Sequence, residues 1–137
     1  MVMRMDNQTE KRVLISYHQL PESDGSNLND HLSVEAIDKR GPGNAHHEYF
    51  VIWDDGTDDV ACYIPFQEGP IKQSDVNGVS NEALLAIVID RLEGFQSGDF
   101  ACQSNQHALD SCRFALDALH RRTRERIERG VEGTNVQ

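Results

Sequence analysis

Residues 80–130 read SNEALLAIVIDRLEGFQSGDFACQSNQHALDSCRFALDALHRRTRERIERG, and their period decides the fold of the second half of the chain. Leu84, Leu85, Val88, Ile89 and Leu92 recur at the spacing of one helical face. Ser80 stands where an N-cap belongs, with Glu82 in the first turn, and Gly94 marks the expected end of that helix. Phe95–Cys102 turns the chain. A longer helix follows from about Gln103 to Arg129, with Gly130 as its stop. Leu109, Cys112, Leu116 and Leu119 alternate in spacings of three and four, which is the pattern of a packed helical seam. Two helices joined by a short turn predict a helical hairpin.

Upstream the period changes from helical to two. Arg12–His18 mixes Val13, Ile15 and Tyr17 with Leu14 and Ser16 and reads as a strand; Leu32, Val34 and Ala36 alternate with Ser33 and Glu35. His47–Trp53 is aromatic and β-branched, the composition of a central strand. The Asp-Gly at 55–56 signals a hairpin, and Val60–Phe66 supplies the return strand, stopped by Pro65. Pro21–Asp30 reads as a loop and Lys39–Asn44 as a turn. The linker Gln67–Gly78 carries Gly69-Pro70 and Asn77-Gly78, and the polar first eleven residues predict a frayed end. The fold expected is α+β: an antiparallel β-sheet region over residues 1–70, then a helical hairpin over 71–137.

Charge sets a direction for ligands. The 137 residues carry a net charge of -10, with 23 acids against 13 bases, a balance that repels nucleic acid and anionic membrane. Residues 1–70 hold 13 acids and 5 bases, whereas residues 71–137 hold 10 acids and 8 bases, so an anionic ligand favours the second half. Cys62, Cys102 and Cys112 are odd in number and lack framework spacing, which points to reduced thiols in a cytosol. The expected location is cytoplasmic: Met1–Arg12 shows no signal-peptide pattern, and no apolar run reaches the roughly 18 residues of a membrane span. His46, His47 and Glu48 invite a metal reading, but neighbours on a strand point to opposite faces, so no metal site is expected. The acids Asp54–Asp59 lack the ligand order of a calcium loop.

The second helix carries an oddity. Asn105, Cys112, Leu119 and Arg126 fall seven apart on one stripe whose middle is apolar and whose ends are polar. Arg122 lies one turn before Arg126, and two neighbouring guanidiniums repel unless an anion lies between them. A solvated Arg/Glu helix end, with Glu125 and Glu128 neutralising the arginines, accounts for the same residues. Asn105 and Arg126 are separated by about 31 Å at 1.5 Å per residue, so one small ligand cannot touch both in one chain. Two antiparallel copies crossing between Ala115 and Leu116 would bring Asn105 of one to Arg126 of the other, which leads to the expectation of a two-fold homodimer with two equivalent sites.

A longer series of residues is specific in its order. Phe66-Gln67-Glu68-Gly69-Pro70-Ile71 is followed by Asn77-Gly78-Val79, Leu84–Leu92, Gly94-Phe95-Gln96-Ser97-Gly98, Phe100-Ala101-Cys102 and Asn105. It closes with Arg122-Thr123, Arg126 and Arg129–Thr134. This series, over roughly residues 66–134, resembles the phage anti-Thoeris sponge family (Thoeris anti-defence proteins of the first type). That family's helical hairpin is shared with anti-CBASS cyclic-oligonucleotide sponges. The resemblance implies a phage-encoded protein of the host cytosol that binds cyclic ADP-ribose isomers, with cyclic di- or trinucleotides as further ligands, and sequesters them without cleavage or cofactor. It implies a homo-oligomer, a dimer or a hexamer built from dimers. It also implies ligand-binding roles: Phe95 for the aromatic that stacks on a base, Asn105 for the amide that hydrogen-bonds the ligand, and Arg122 and Arg126 for paired phosphate-gripping arginines. Lys72 falls one place away from the basic residue that follows the family's Gly-Pro. Asp99 departs from the family, which often has proline there. Two other classes remain open: a helical-hairpin interaction protein, and a cyclic nucleotide hydrolase, for which no nucleophile–base or metal constellation is visible.

Overall fold

The computed structural model describes residues 2–3 and 12–137 and divides the chain into two compact units, Met1–Glu68 and Gly69–Gln137. The architecture is α+β: an antiparallel sheet followed by two helices.

The sheet unit contains β1 (Val2–Met3), β2 (Val13–Ile15), β3 (Ser33–Ala36), β4 (Glu48–Asp54) and β5 (Asp59–Pro65), in the order β1-β5-β4-β3-β2. All neighbours are antiparallel. The alternation seen in the sequence is used directly. Tyr49 pairs with Ile64 and Ala36, and Val51 pairs with Cys62 and Val34, so one face is apolar. On the other face Phe50 tilts against Tyr63 at 5.6 Å, and Arg12 lies 5.8 Å over the Phe50 ring while pairing with Glu35 at 3.0 Å. Among the described residues of this unit, Ala36 and Ala61 are the fully buried apolar ones.

Strand β1 differs from the frayed start expected for residues 1–11. Val2 and Met3 pair with Cys62 and Ala61, while the expectation for residues 4–11 lies outside the described residues. A two-residue edge strand is too short to show a period of two, so nothing in the local sequence announces it. β2 is also shorter than expected: beyond Ile15 the chain turns at Tyr17 and His18, and Gln19 N–H bonds Ser16 O at 3.0 Å.

In the hairpin unit Gly69 opens the turn before the helices. Its φ is +85°, and an added Cβ would lie 2.5 Å from Ser74 Oγ, so only glycine fits there. Helix α1 (Asn81–Gln96) begins as expected, with Ser80 Oγ accepting from Ala83 N–H at 3.1 Å. It runs past Gly94 to a cap at Ser97, whose N–H reaches Glu93 O at 3.1 Å and whose hydroxyl reaches Gly94 O at 2.7 Å. Gly94 is absent from the positive-φ glycines, so it continues the helix rather than reversing the chain.

Helix α2 (Gln103–Glu128) does stop at Gly130. That glycine has φ +72°; its N–H bonds Ile127 O at 2.9 Å, and Val131 N–H bonds Arg126 O at 3.0 Å. These are the two reverse bonds of a left-handed helix closure, which satisfy carbonyls that the helix end leaves open. Leu109, 3% exposed, is the buried apolar residue of the seam, flanked by half-buried Cys112, Leu116 and Leu119. Arg113 pairs with Glu93 across the hairpin at 2.7 Å; both are half-exposed, so the pair is worth under about 1 kcal/mol. The described helices include none long and apolar enough to cross a membrane.

Candidate functional site

Within the hairpin unit the five residues singled out in the sequence fall into two groups at opposite ends of α2. At the inter-helix turn, Phe95 closes α1 with 38% of its surface exposed. Phe100 stands edge-on to it, 6.3 Å between ring centres, and the Arg91 guanidinium lies 5.5 Å from the Phe95 ring. Phe100 is 75% exposed, so this end of the hairpin presents aromatic surface to solvent rather than burying it. Asn105 is held beside it: its side-chain amide donates to Phe100 O at 3.2 Å. Gln96 braces the same turn, accepting from Cys102 N–H at 2.9 Å and donating to Gln106 at 3.2 Å.

The sequence flagged Phe95 and Asn105 here but missed Phe100 and Arg91. The signal for Arg91 was available, since it lies four residues before Phe95 on one helical face. Phe100 follows a turn whose path no periodicity fixes.

At the far end lie Arg122, Arg126 and Lys72. Arg122 is exposed, and among the described residues no hydrogen bond or ion pair engages its side chain. Arg126 is the opposite case, buried to 8% exposure. Its Nε donates to Glu132 at 3.0 Å, Nη2 donates to Val131 O at 3.0 Å and Thr134 O at 3.1 Å, and Nη1 donates to Val136 O. Lys72 joins this group through its backbone, whose N–H bonds Gly133 O at 3.3 Å, and through its side-chain stem, 3.2 Å from where a Cβ on Gly133 would sit. Ile71, Lys72, Ile127, Gly130, Glu132 and Gly133 line an open cavity of about 300 Å³. The stripe logic located Arg126 but not Glu132, whose approach depends on the chain reversal at Gly130.

The two groups are not brought together in one chain. α2 is unbroken from Gln103 to Glu128, so Asn105 and Arg126 stay about 31 Å apart. The arrangement offers a stacking surface with an amide at one end and guanidiniums with a lysine at the other. Those are the donors a base and a phosphate require, provided one ligand can reach both.

The other sequence candidates are engaged in local structure. His46 Nδ1 lies 2.8 Å from Asp38 O, and Asp38 also accepts from the N–H groups of His47 and Glu48. His47 is buried, and its Nδ1 has no hydrogen-bond partner among the described residues. Among the described residues no group of three or more His, Cys, Asp or Glu side chains converges as for a metal ion. Cys62, Cys102 and Cys112 are free thiols, and Cys102 Sγ caps α2 by accepting from Asn105 N–H at 3.4 Å.

No protein-family profile matches the chain. A protein of Bacillus phage SBSphiJ7 named Thoeris anti-defense 1 is 47% identical to it over 72 residues, 53% of this chain and 51% of that protein. The chain thus spans about half the length of that relative in the match. The similarity supports the resemblance to the anti-Thoeris proteins; it does not bear on the cyclic-oligonucleotide sponges of CBASS.

Proposed function

We propose that this protein is a phage anti-defence sponge of the anti-Thoeris kind. It binds a cyclic nucleotide signal, a cyclic ADP-ribose isomer first and cyclic di- or trinucleotides second, and holds it without cleaving it. The observation that carries this reading is the layout of the hairpin: exposed aromatics with Asn105 at one end, and Arg122, Arg126 and Lys72 at the other. The 47% identity to a protein named Thoeris anti-defense 1 gives that layout its context.

In this reading Phe95 stacks on a base, Asn105 hydrogen-bonds the ligand, and Arg122 and Arg126 take phosphate oxygens, with Lys72 adding charge. A two-fold dimer with crossed α2 helices unites the two ends into two equivalent sites. Ile87 at 57% and Phe114 at 71% exposure leave apolar side chains on both helices for such an interface. A stable monomer that binds the signal with full affinity would sink the dimer arrangement.

The decisive experiment is calorimetric titration with cyclic ADP-ribose isomers and cyclic di- and trinucleotides, followed by heat denaturation and analysis of what is released. Intact ligand in the supernatant is the expected result. Cleaved ligand would make the protein a hydrolase. No binding across the panel would favour a hairpin that docks another protein.

A further inference from the structure

We infer that the guanidinium of Arg126 is an anion site which the chain fills with its own Glu132 carboxylate, and that a ligand phosphate enters by displacing Glu132. The inference rests on the proposed function only for the identity of the ligand.

The argument starts from the cost of the site. A guanidinium at 8% exposure must be neutralised and its donors satisfied, or burial is prohibitive. Four of its five N–H groups are used on Glu132, Val131 O, Thr134 O and Val136 O. Three of those partners are neutral carbonyls. Glu132 alone brings negative charge, and it holds Arg126 Nε at 3.0 Å.

The partners also differ in how easily they leave. The carbonyls belong to a backbone that Gly130 has turned back along α2. The Glu132 side chain is 41% exposed against 10% for Arg126, so it can swing into water at small cost. It also lines the cavity of about 300 Å³ that Lys72 shares, a volume at the low end for small-ligand sites. Arg126 is not among the residues that line this cavity, so a phosphate there meets Lys72 first and reaches the Arg126 Nε donor only where Glu132 gives way. Phosphate and carboxylate make the same charge-assisted contact, so they compete for it.

The exchange has a structural readout. The strap Val131–Val136 is tied to the rest of the unit by Arg126, by Gly133 O on Lys72 N–H, and by Asn135 on Gln73 at 3.3 Å. Losing the Glu132 contact removes its charged anchor, so phosphate binding loosens the strap.

The test uses the full chain, inorganic pyrophosphate as the probe, and amide hydrogen exchange over residues 131–136, with sodium chloride at matched ionic strength as the reference. Pyrophosphate should speed exchange of the strap amides. E132Q should bind pyrophosphate roughly three- to tenfold more tightly, the scale of one partly exposed charge-assisted contact. E128Q makes the same charge change on an exposed residue and should leave affinity nearly unchanged. E132A should raise affinity in the same direction, which guards against a neutral Gln simply keeping the hydrogen bond. Equal gains in E132Q and E128Q, or strap exchange that pyrophosphate does not alter, would overturn the competition. If pyrophosphate frees the strap but no cyclic nucleotide binds, the sponge reading falls and the Glu132 site stands. If cyclic nucleotides bind wild type and E132Q equally, the reverse holds.

Discussion

The acids of the sheet unit and the arginines of the hairpin unit both bond backbone, the acids taking N–H groups and the arginines taking carbonyls. Asp38 accepts from the N–H groups of His47 and Glu48, and Asp55 accepts from Thr57 and Asp58 in the tight turn between β4 and β5. Those carboxylates fix turns and repel any anion from the sheet. In the hairpin unit Arg126 donates to carbonyls five to ten residues away, and Arg129 donates to Gln137 O. Arg122, on the same helix, is left unengaged among the described residues. Negative charge serves local architecture in one unit, while positive charge in the other divides between holding a strap and facing solvent. An anionic ligand has one unit to choose.

The comparison is sharpened most by attacking the core of the hairpin. Leu109→Ala should lower stability by about 3 kcal/mol, because it removes the most buried apolar side chain of that unit. Denaturant unfolding followed by helical circular dichroism measures it, and a loss under about 1 kcal/mol would mean that the seam is not the hairpin's core.

Next comes the charge. Arg122→Ala should weaken binding of the cyclic signal by about 2–3 kcal/mol in calorimetric titration. Lys39→Ala, which removes a cation from the sheet unit, should leave binding unchanged. Similar losses in both variants would break the division between the units.

Phe95→Ala should cost about 1–3 kcal/mol of binding through lost stacking. Its oligomeric state, read by light scattering, should match wild type. Dissociation of the assembly would recast Phe95 as an interface residue.

The smallest effect belongs to the sheet. Backbone N–H of Asp58, then the Thr57 hydroxyl and N–H, hold the Asp55 carboxyl down to about 2, from an ordinary value of 3.8. A depressed folded value stabilises the turn above the ordinary value, and that contribution fades as pH falls from about 4 towards 2. NMR titration of Asp55 should show the low midpoint, and Thr57→Val should raise it. An Asp55 midpoint near 4 in the wild type would remove the turn's charge-based lock. At the other extreme, Tyr63 is pushed up to about 12, first by donating its hydroxyl to Glu48 and then by burial.

Much of the fold was legible because burial imposes its period on the sequence. Val34 and Ala36 alternate with Ser33 and Glu35 in β3, β4 carries a continuous half-buried apolar run, and the repeats of α1 and α2 match the half-buried seam at Leu84, Leu85, Ile89, Leu92, Leu116 and Leu119, with Val88 exposed. The caps Ser80 and Gly130 also acted as their residue types predict. Gly94 misled, since a glycine ends a helix only where the chain takes up the left-handed conformation, and here Ser97 provides the closure. For the candidate site, spacing along α2 identified Asn105, Arg122 and Arg126 as outliers on an apolar pattern. It did not reveal that Arg126 would meet Glu132 or that Asn105 would hold Phe100 O. Those contacts depend on where a turn sends the backbone, and periodicity carries no information about that.

The uninterrupted length of α2 has a consequence for which changes in chain length the site can survive. With 3.6 residues per turn, inserting one residue between Asn105 and Arg126 rotates one end by about 100° and lengthens the helix by about 1.5 Å. Arg126, together with the strap it holds, would then leave the stripe it shares with Asn105. A seven-residue insertion keeps the two ends within about 20° of their original phase, at the expense of about 10 Å of extra length. Viable length variants of this helix should therefore come in steps of about seven or eleven residues, and any such change must be matched by whatever spans the distance between the two ends.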